Sequence, residues 1–209
     1  MIDYLFLIRH GEAVSNASRL VGGRDDYDLT PTGRFQAQTA AGMLGHIIFS
    51  AVYSSPVKRA METAKIVCKG TRINVEQGFS EVDPGDSAGK PVSCLKNKWL
   101  CTHPEFKETF EQIQSRCMPV LKNIVSRDAG NVIIFSHADI IMAMIYGLLG
   151  IKTNRRSQFI MYPYNTAANV ISFTSSKPKL VLFNYMSQKA LGDVDTIESL
   201  LGLLKRRGA

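Results

Sequence analysis

Three short stretches gather side chains that bind anions and move protons. The first is Arg9-His10-Gly11-Glu12, which ends the apolar run Tyr4-Leu5-Phe6-Leu7-Ile8. A buried strand that stops at a guanidinium and an imidazole must meet them with something anionic or hydrogen-bonding, because burying them unpaired is costly. Arginine grips phosphate through a planar fork of donors, and imidazole can serve as nucleophile or general base. Glycine lets the backbone come close to a ligand. Taken alone, an Arg-His pair at a strand end reads equally well as a solvated pair.

The second stretch is Ala51-Val52-Tyr53-Ser54-Ser55-Pro56-Val57-Lys58-Arg59. Serine is a strong N-cap and proline suits the first helical position, so a helix is predicted from Pro56 with Arg59 in its first turn. Unpaired N–H groups and the helix dipole favour an anion there. A well-capped helix carrying a surface arginine would look the same. The third stretch, Asn131-Val132-Ile133-Ile134-Phe135, reads as a strand buried on both faces. It ends at Ser136-His137-Ala138-Asp139, and an apolar helix follows over 140–149. In an open α/β sheet, ligands bind beyond the carboxyl ends of the strands. Arg9, His10, Arg59 and His137 arriving at three such ends describe a pocket for a dianion.

The elements that must position these groups follow from capping and periodicity. Thr30-Pro31 predicts a helix to about residue 49, with Phe35, Ala40, Met43, Leu44 and Ile47 on its apolar face. A second helix is predicted over 56–68 and a short strand over 72–77. Residues 84–104, rich in Gly, Ser, Pro and Lys, read as an irregular excursion over the site. A helix is predicted over 106–126, kinked at Pro119. Strands over 167–173 and 179–184 flank a turn and predict a hairpin. Alternating strands and helices imply a mostly parallel sheet between helical layers.

Together these motifs resemble the histidine phosphatase superfamily, the phosphoglycerate mutase-like family. The matching residues are Arg9-His10-Gly11-Glu12 with Asn16, Gly23 to Thr30 followed by Gly33, Gln36 and Ala37, Ser54-Ser55-Pro56 with Arg59-Ala60 and Thr63-Ala64, Glu81, and Ser136-His137. Each is short; their order and spacing are specific. The resemblance implies a three-layer α/β/α sandwich whose central sheet is mostly parallel with one antiparallel edge strand. It makes 1–209 a single domain, with a substrate-covering insertion at about 84–105. It implies that His10 attacks phosphorus and becomes a phosphohistidine, that Arg9, Arg59 and His137 hold the phosphoryl oxygens with Asn16 beside them, and that Glu81 gives the leaving oxygen its proton. The chemistry is consistent with those roles. An attacking imidazole must be neutral, and a carboxylic acid that donates needs a raised pKa and hence shielding from water. Without the resemblance, Glu81 would read as an ordinary surface acid. Two positions depart from the family: Ala138 replaces a glycine after the second histidine, and Asp139 adds a carboxylate. Asp139 is expected to cap the following helix or to orient His137, capping being the preferred reading.

Composition narrows the function classes. The 209 residues are 45% apolar, enough for a substantial core. The net charge is +7, but the cations are dispersed and not interleaved with aromatics, so nucleic-acid binding is not expected. The tightest basic cluster, Lys205-Arg206-Arg207, follows Ile197, Leu200, Leu201 and Leu204 and suits a helix C-terminus. Met1-Ile2-Asp3 lacks a basic leader, and His137 and Asp139 interrupt the longest apolar region, so neither a signal peptide nor a membrane span is expected. Cys68, Cys94, Cys101 and Cys117 lack paired CxxC spacing, and Cys101 with His103 has no second cluster to complete a metal site. A cytoplasmic, metal-independent enzyme with reduced cysteines is expected, acting on a small phosphorylated metabolite; short members of the family often dimerise, so a homodimer is left open.

Phosphatases of this family pass the phosphoryl group to water, and mutases return it to a phosphoglycerate. A mutase must grip a substrate carboxylate and exclude water. Typical cofactor-dependent mutases carry an Arg directly after the acid glutamate, a nearby Tyr and an Arg pair further on; here Val82, Asp83 and Pro84 follow Glu81, and no Arg-Arg pair lies between Glu81 and Arg116. Lys90, Lys96 and Lys98 are the candidate substitutes. Phosphomonoester hydrolysis is therefore the favoured reaction, with no cofactor. The alternative is a phosphoglycerate mutase that uses 2,3-bisphosphoglycerate as phosphoryl donor. A third reading, a member that has lost catalysis and only binds, is disfavoured because a scaffold needs neither nucleophile nor acid.

Overall fold

A computed structural model describes residues 1–95, 105–152 and 162–186. Six strands form one sheet in the order β3-β2-β4-β1-β5-β6. They are β1 (Ile2–Arg9), β2 (Ala51–Ser54), β3 (Ile73–Val75), β4 (Gly130–Ser136), β5 (Ala168–Ser172) and β6 (Lys179–Tyr185). Strands β1 to β4 are mutually parallel. Antiparallel pairing is confined to one side, where β5 runs against β1 and the predicted hairpin adds β6 as the outer strand.

Side-chain alternation splits the core into two layers. Leu5 and Leu7 of β1, with Val132 and Ile134 of β4, pack against α4 (Phe110–Arg127) and α5 (Ala138–Leu149). Phe6 and Ile8, with Ile133 and Phe135, face α2 (Pro31–Leu44) and α3 (Lys58–Val67), while a single-turn helix, α1 (Val14–Ala17), lies in the loop between β1 and α2. A sheet buried on both faces explains why β1 and β4 read as unbroken apolar runs.

The helices differ in detail from their predicted bounds. In α2 the Thr30 side chain accepts from the Gly33 N–H, as the cap predicts, but the helix ends at Leu44 and Phe35 is 67% exposed. The buried stripe keeps Ala40, Met43 and Leu44 and adds Gly33 and Ala37. Helix α3 begins at Lys58, not Pro56, and still has Arg59 in its first turn. Helix α4 opens on a Thr109–Gln112 capping box and continues through Pro119. The described part of the excursion after Glu81 contains two short 3-10 turns, Gly85–Ser87 and Val92–Cys94. No described helix is long and apolar enough to cross a membrane. Lys96, Lys98, Cys101, His103 and the C-terminal basic cluster lie outside the described residues.

Register decides where the site falls. Arg9 is level with Ser136 across the β1–β4 pair, and Ser54 with Phe135 across β2–β4. Three parallel strands thus end side by side. The next residues, His10, Ser55 and His137, emerge at the same rim.

Candidate active site

His10 is 2% exposed, and its ring is oriented by its neighbour. Nδ1 lies 2.7 Å from the Gly11 carbonyl oxygen. That acceptor places the ring proton on Nδ1, so Nε2 keeps a lone pair. Arg59 Nε donates to this lone pair at 3.0 Å. Main-chain bonds lock the backbone: the His10 N–H donates to Ser136 and Asn165 Nδ2 donates to the His10 carbonyl. Burial, then Arg59 and Arg9, hold the imidazole well below its ordinary pKa, so it stays neutral.

His137 caps α5 with its backbone and is fully buried. Its Nε2 lies 2.8 Å from Ser55 Oγ. Ser55 Oγ accepts from the Val57 N–H, and Nε2 is the acceptor its own O–H has among the described residues, so Ser55 donates to Nε2. The remaining ring proton belongs on Nδ1, which has no hydrogen-bond partner and sits 3.4 Å from Glu81 Oε2. Burial followed by Arg59 holds this ring neutral too. A neutral, buried, unsatisfied N–H is a donor waiting for an acceptor.

The guanidiniums complete the cup. Arg59, 2% exposed, is fixed by the Gly23 and Asp25 carbonyls at 2.7 and 3.1 Å and reaches Glu81 Oε2 at 3.4 Å. Arg9 donates to the Pro163 carbonyl at 2.9 Å, lies over the Tyr162 ring at 4.8 Å, and keeps a buried Nε without a partner. Asn16 Oδ1 accepts from the Ala13 N–H, which leaves its amide N–H groups as donors at the cavity wall. Arg9, His10, Asn16, Arg59 and Glu81 line one cavity of about 180 Å³.

Glu81 Oε1 accepts from the Val82 N–H, and burial raises the carboxyl pKa against the pull of Arg59. Its loop is clamped from outside. Arg24 and Arg116 both donate to the Glu81 carbonyl, at 2.9 and 3.2 Å, and Glu108 binds both arginines. Arg116 is therefore tied to the acid loop and to the Gly78 carbonyl. Lys90 does not line the cavity.

One ligating atom from each of His10, Glu81 and His137 lies within 4.8 Å of the others. By residue type the trio could hold a metal ion. Two guanidiniums in the same cup oppose a cation and favour an anion. The chemistry this supports is in-line transfer of a phosphoryl group to a ring nitrogen, stabilised by fixed positive charge.

The profile of the histidine phosphatase superfamily (branch 1) matches residues 5–186. The chain belongs to that superfamily. Curated relatives in it include a 2,3-bisphosphoglycerate-dependent phosphoglycerate mutase of Thermoplasma acidophilum, 33% identical over 149 residues, which are 66% of this chain and 72% of that protein. Among solved structures, phosphoserine phosphatase of Entamoeba histolytica with 3-phosphoglyceric acid aligns with a TM-score of 0.74 at 25% identity, over 89% of this chain and 98% of that one. A mycobacterial glucosyl-3-phosphoglycerate phosphatase with VO3 gives 0.76 at 22% identity, over 87% and 98%. Phosphatases and mutases of the superfamily thus both stand among its relatives, and the His10, Glu81 and His137 cluster fits the superfamily's catalytic centre.

Several participants were not visible as site residues in the sequence. Ser55 reads as a helix cap, yet its hydroxyl also orients His137. Thr63 accepts from the Gly11 N–H and donates to the Arg59 carbonyl, joining the two anion-binding segments. Its place four residues after Arg59 is the usual signal for such a back-bond. Arg24, Glu108, Arg116, Tyr162 and Asn165 carry no local signal. Asp139 does not cap α5: the N-cap is His137, which makes no side-chain cap bond, and Asp139 lines the cavity.

Proposed function

We propose that this chain is a single histidine phosphatase domain, 1–209, that hydrolyses small phosphomonoesters without a metal. His10 Nε2 attacks phosphorus while Arg9, Arg59, Asn16 and the His137 Nδ1–H hold the phosphoryl oxygens. The P–O bond to the alcohol breaks, and Glu81 gives its proton to the departing oxygen. Water then attacks the phosphohistidine, Glu81 takes a proton from it, and phosphate leaves with His10 restored. The observation that carries this reading is the neutral His10 ring, with Nδ1 tied to Gly11 and Nε2 facing a cup of two guanidiniums and a shielded carboxyl.

The Thermoplasma relative favours a second reading, a mutase primed by 2,3-bisphosphoglycerate. Against it, the cations lining the cavity among the described residues are Arg9 and Arg59, which the phosphoryl group needs. Arg116 is spent on Glu108, Gly78 and Glu81, and so offers nothing to a substrate carboxylate. The deciding experiment follows 2-phosphoglycerate and free phosphate from 3-phosphoglycerate, with and without 2,3-bisphosphoglycerate. Turnover of p-nitrophenyl phosphate should survive EDTA and vanish in His10→Ala. Accumulating 2-phosphoglycerate would establish the mutase.

A further inference from the structure

Asp139 is the acidic side chain of the cavity that phosphoryl transfer leaves unused. It stands in the first turn of α5, two residues beyond His137, and lines the same space as His10 and Glu81. Its carboxyl has no hydrogen-bond or ion-pair partner among the described residues. Neither nearby guanidinium is hydrogen-bonded to it: Arg59 is held by His10, Gly23, Asp25 and Glu81, and Arg9 binds Pro163 and lies over the Tyr162 ring, with its Nε unpartnered. Val82, Val92, Leu95 and Phe106 make the neighbouring wall apolar, which lowers the local dielectric and sharpens any charge interaction. Burial and the nearby Glu81 raise the Asp139 pKa against the opposing pull of Arg9.

A ligand ammonium would pair with a carboxyl that makes no hydrogen bond or ion pair among the described residues, and would settle Asp139 in its ionised form. A ligand carboxylate would bring a further anion beside Glu81 and Asp139. We propose that Asp139 is a specificity-determining residue of this site, selecting phosphomonoesters whose alcohol half carries an ammonium group. This rests on the hydrolase reading above, with the phosphoryl group against His10 and the alcohol towards Asp139. Asp139 forms an ion pair with the substrate and exchanges no proton with it; the leaving oxygen is still protonated by Glu81.

Three esters of matched size test the charge preference: phosphoethanolamine, ethylene glycol monophosphate and phosphoglycolate. As competitive inhibitors of p-nitrophenyl phosphate turnover by the unaltered protein, they should bind in that order. The first should bind about tenfold or more tighter than the last, the scale of one charged hydrogen bond. In Asp139→Asn the ratio of the two inhibition constants should fall towards one. Equal or tighter binding of phosphoglycolate to the unaltered protein overturns the proposal, and that test stands even if the variant does not fold. A ratio unchanged in Asp139→Asn overturns it as well. Failure of the phosphohistidine reading looks different: His10→Ala would then keep turning over p-nitrophenyl phosphate.

Discussion

Glu81→Gln removes the proton donor while keeping the shape of the side chain and its bond to the main chain. Glutamine keeps the length and one carbonyl oxygen, so the Val82 N–H, now 2.9 Å from Oε1, retains an acceptor. What is lost is the transferable proton, together with a carboxyl oxygen 3.4 Å from both Arg59 Nη2 and His137 Nδ1. A positioned general acid contributes roughly 10²–10⁴-fold, and the factor applies in full only where the leaving alkoxide is strongly basic. The rate at which His10 is phosphorylated by glycerol phosphate should therefore fall by about 10²–10⁴-fold in single-turnover experiments, while phosphorylation by p-nitrophenyl phosphate, whose phenolate leaves unaided, should slow less than about tenfold; the later attack of water is common to both esters.

The pH profile supplies the second half of this test. Ordinary values are 6.5 for His10 and 4.5 for Glu81. With those values, a neutral imidazole beside a protonated carboxyl would be the rarer arrangement at every pH. Burial pushes the first down and the second up, so the productive pair becomes commoner. As pH rises through the raised Glu81 pKa, the donor is lost and turnover of the alkyl ester falls. As pH falls through the lowered His10 pKa, the nucleophile is protonated and both esters suffer. Single-turnover kinetics on the two esters across pH check this. Equal losses of the two esters in the phosphorylation step, or an alkaline limb of that step that survives in Glu81→Gln, would refute the assignment of Glu81 as donor.

Other outcomes follow from the same geometry. Arg116→Ala removes two bonds to main-chain carbonyls and the Glu108 pair, so chemical denaturation should show a loss of about 2–3 kcal/mol. Its alkyl-to-aryl turnover ratio should fall with it, because the Glu81 loop loosens; an unchanged ratio would reduce Arg116 to a stability role. Gly33→Ala places a Cβ 2.0 Å from the Glu12 carbonyl oxygen, where α2 meets the loop after the nucleophile. Thermal unfolding should show a cost of about 1–3 kcal/mol, the usual range for overpacking. Among the described cysteines, exposed Cys94 should alkylate first. Burial pushes Cys68 up to about 11 and Cys117 up to about 12, so both should lag under native conditions and react on unfolding, as peptide mapping would report.

The strands that build the site were legible because each is a contiguous apolar run. β1 and β4 are buried on both faces and end on functional side chains, so their limits and their chemistry share one signal. The cap at Thr30 and the hairpin before Tyr185 were equally local. Helix faces were harder. Phe35 fits a helical stripe by spacing but points away from the sheet, because α2 is set down on its small residues Gly33, Ala37 and Ala40. Asp139 reads as a cap by type and position, and is instead a wall of the cavity.

By itself, the sequence determined which side chains could carry the chemistry, because imidazole, guanidinium and carboxyl are chemical identities written at fixed positions in recurring motifs. Tertiary structure alone decided their states. The Nδ1 tautomer of His10 comes from the turn that folds the adjacent Gly11 carbonyl back onto the ring, and the free Nδ1–H of His137 and the opposed pKa shifts of His10 and Glu81 arise from burial and from partners distant in the chain. So does the Arg24–Glu108–Arg116 clamp, which joins residues 84 and 8 apart in sequence at the carbonyl of Glu81. Local patterns record propensity, whereas desolvation and hydrogen-bond geometry depend on what the folded chain brings within a few ångströms.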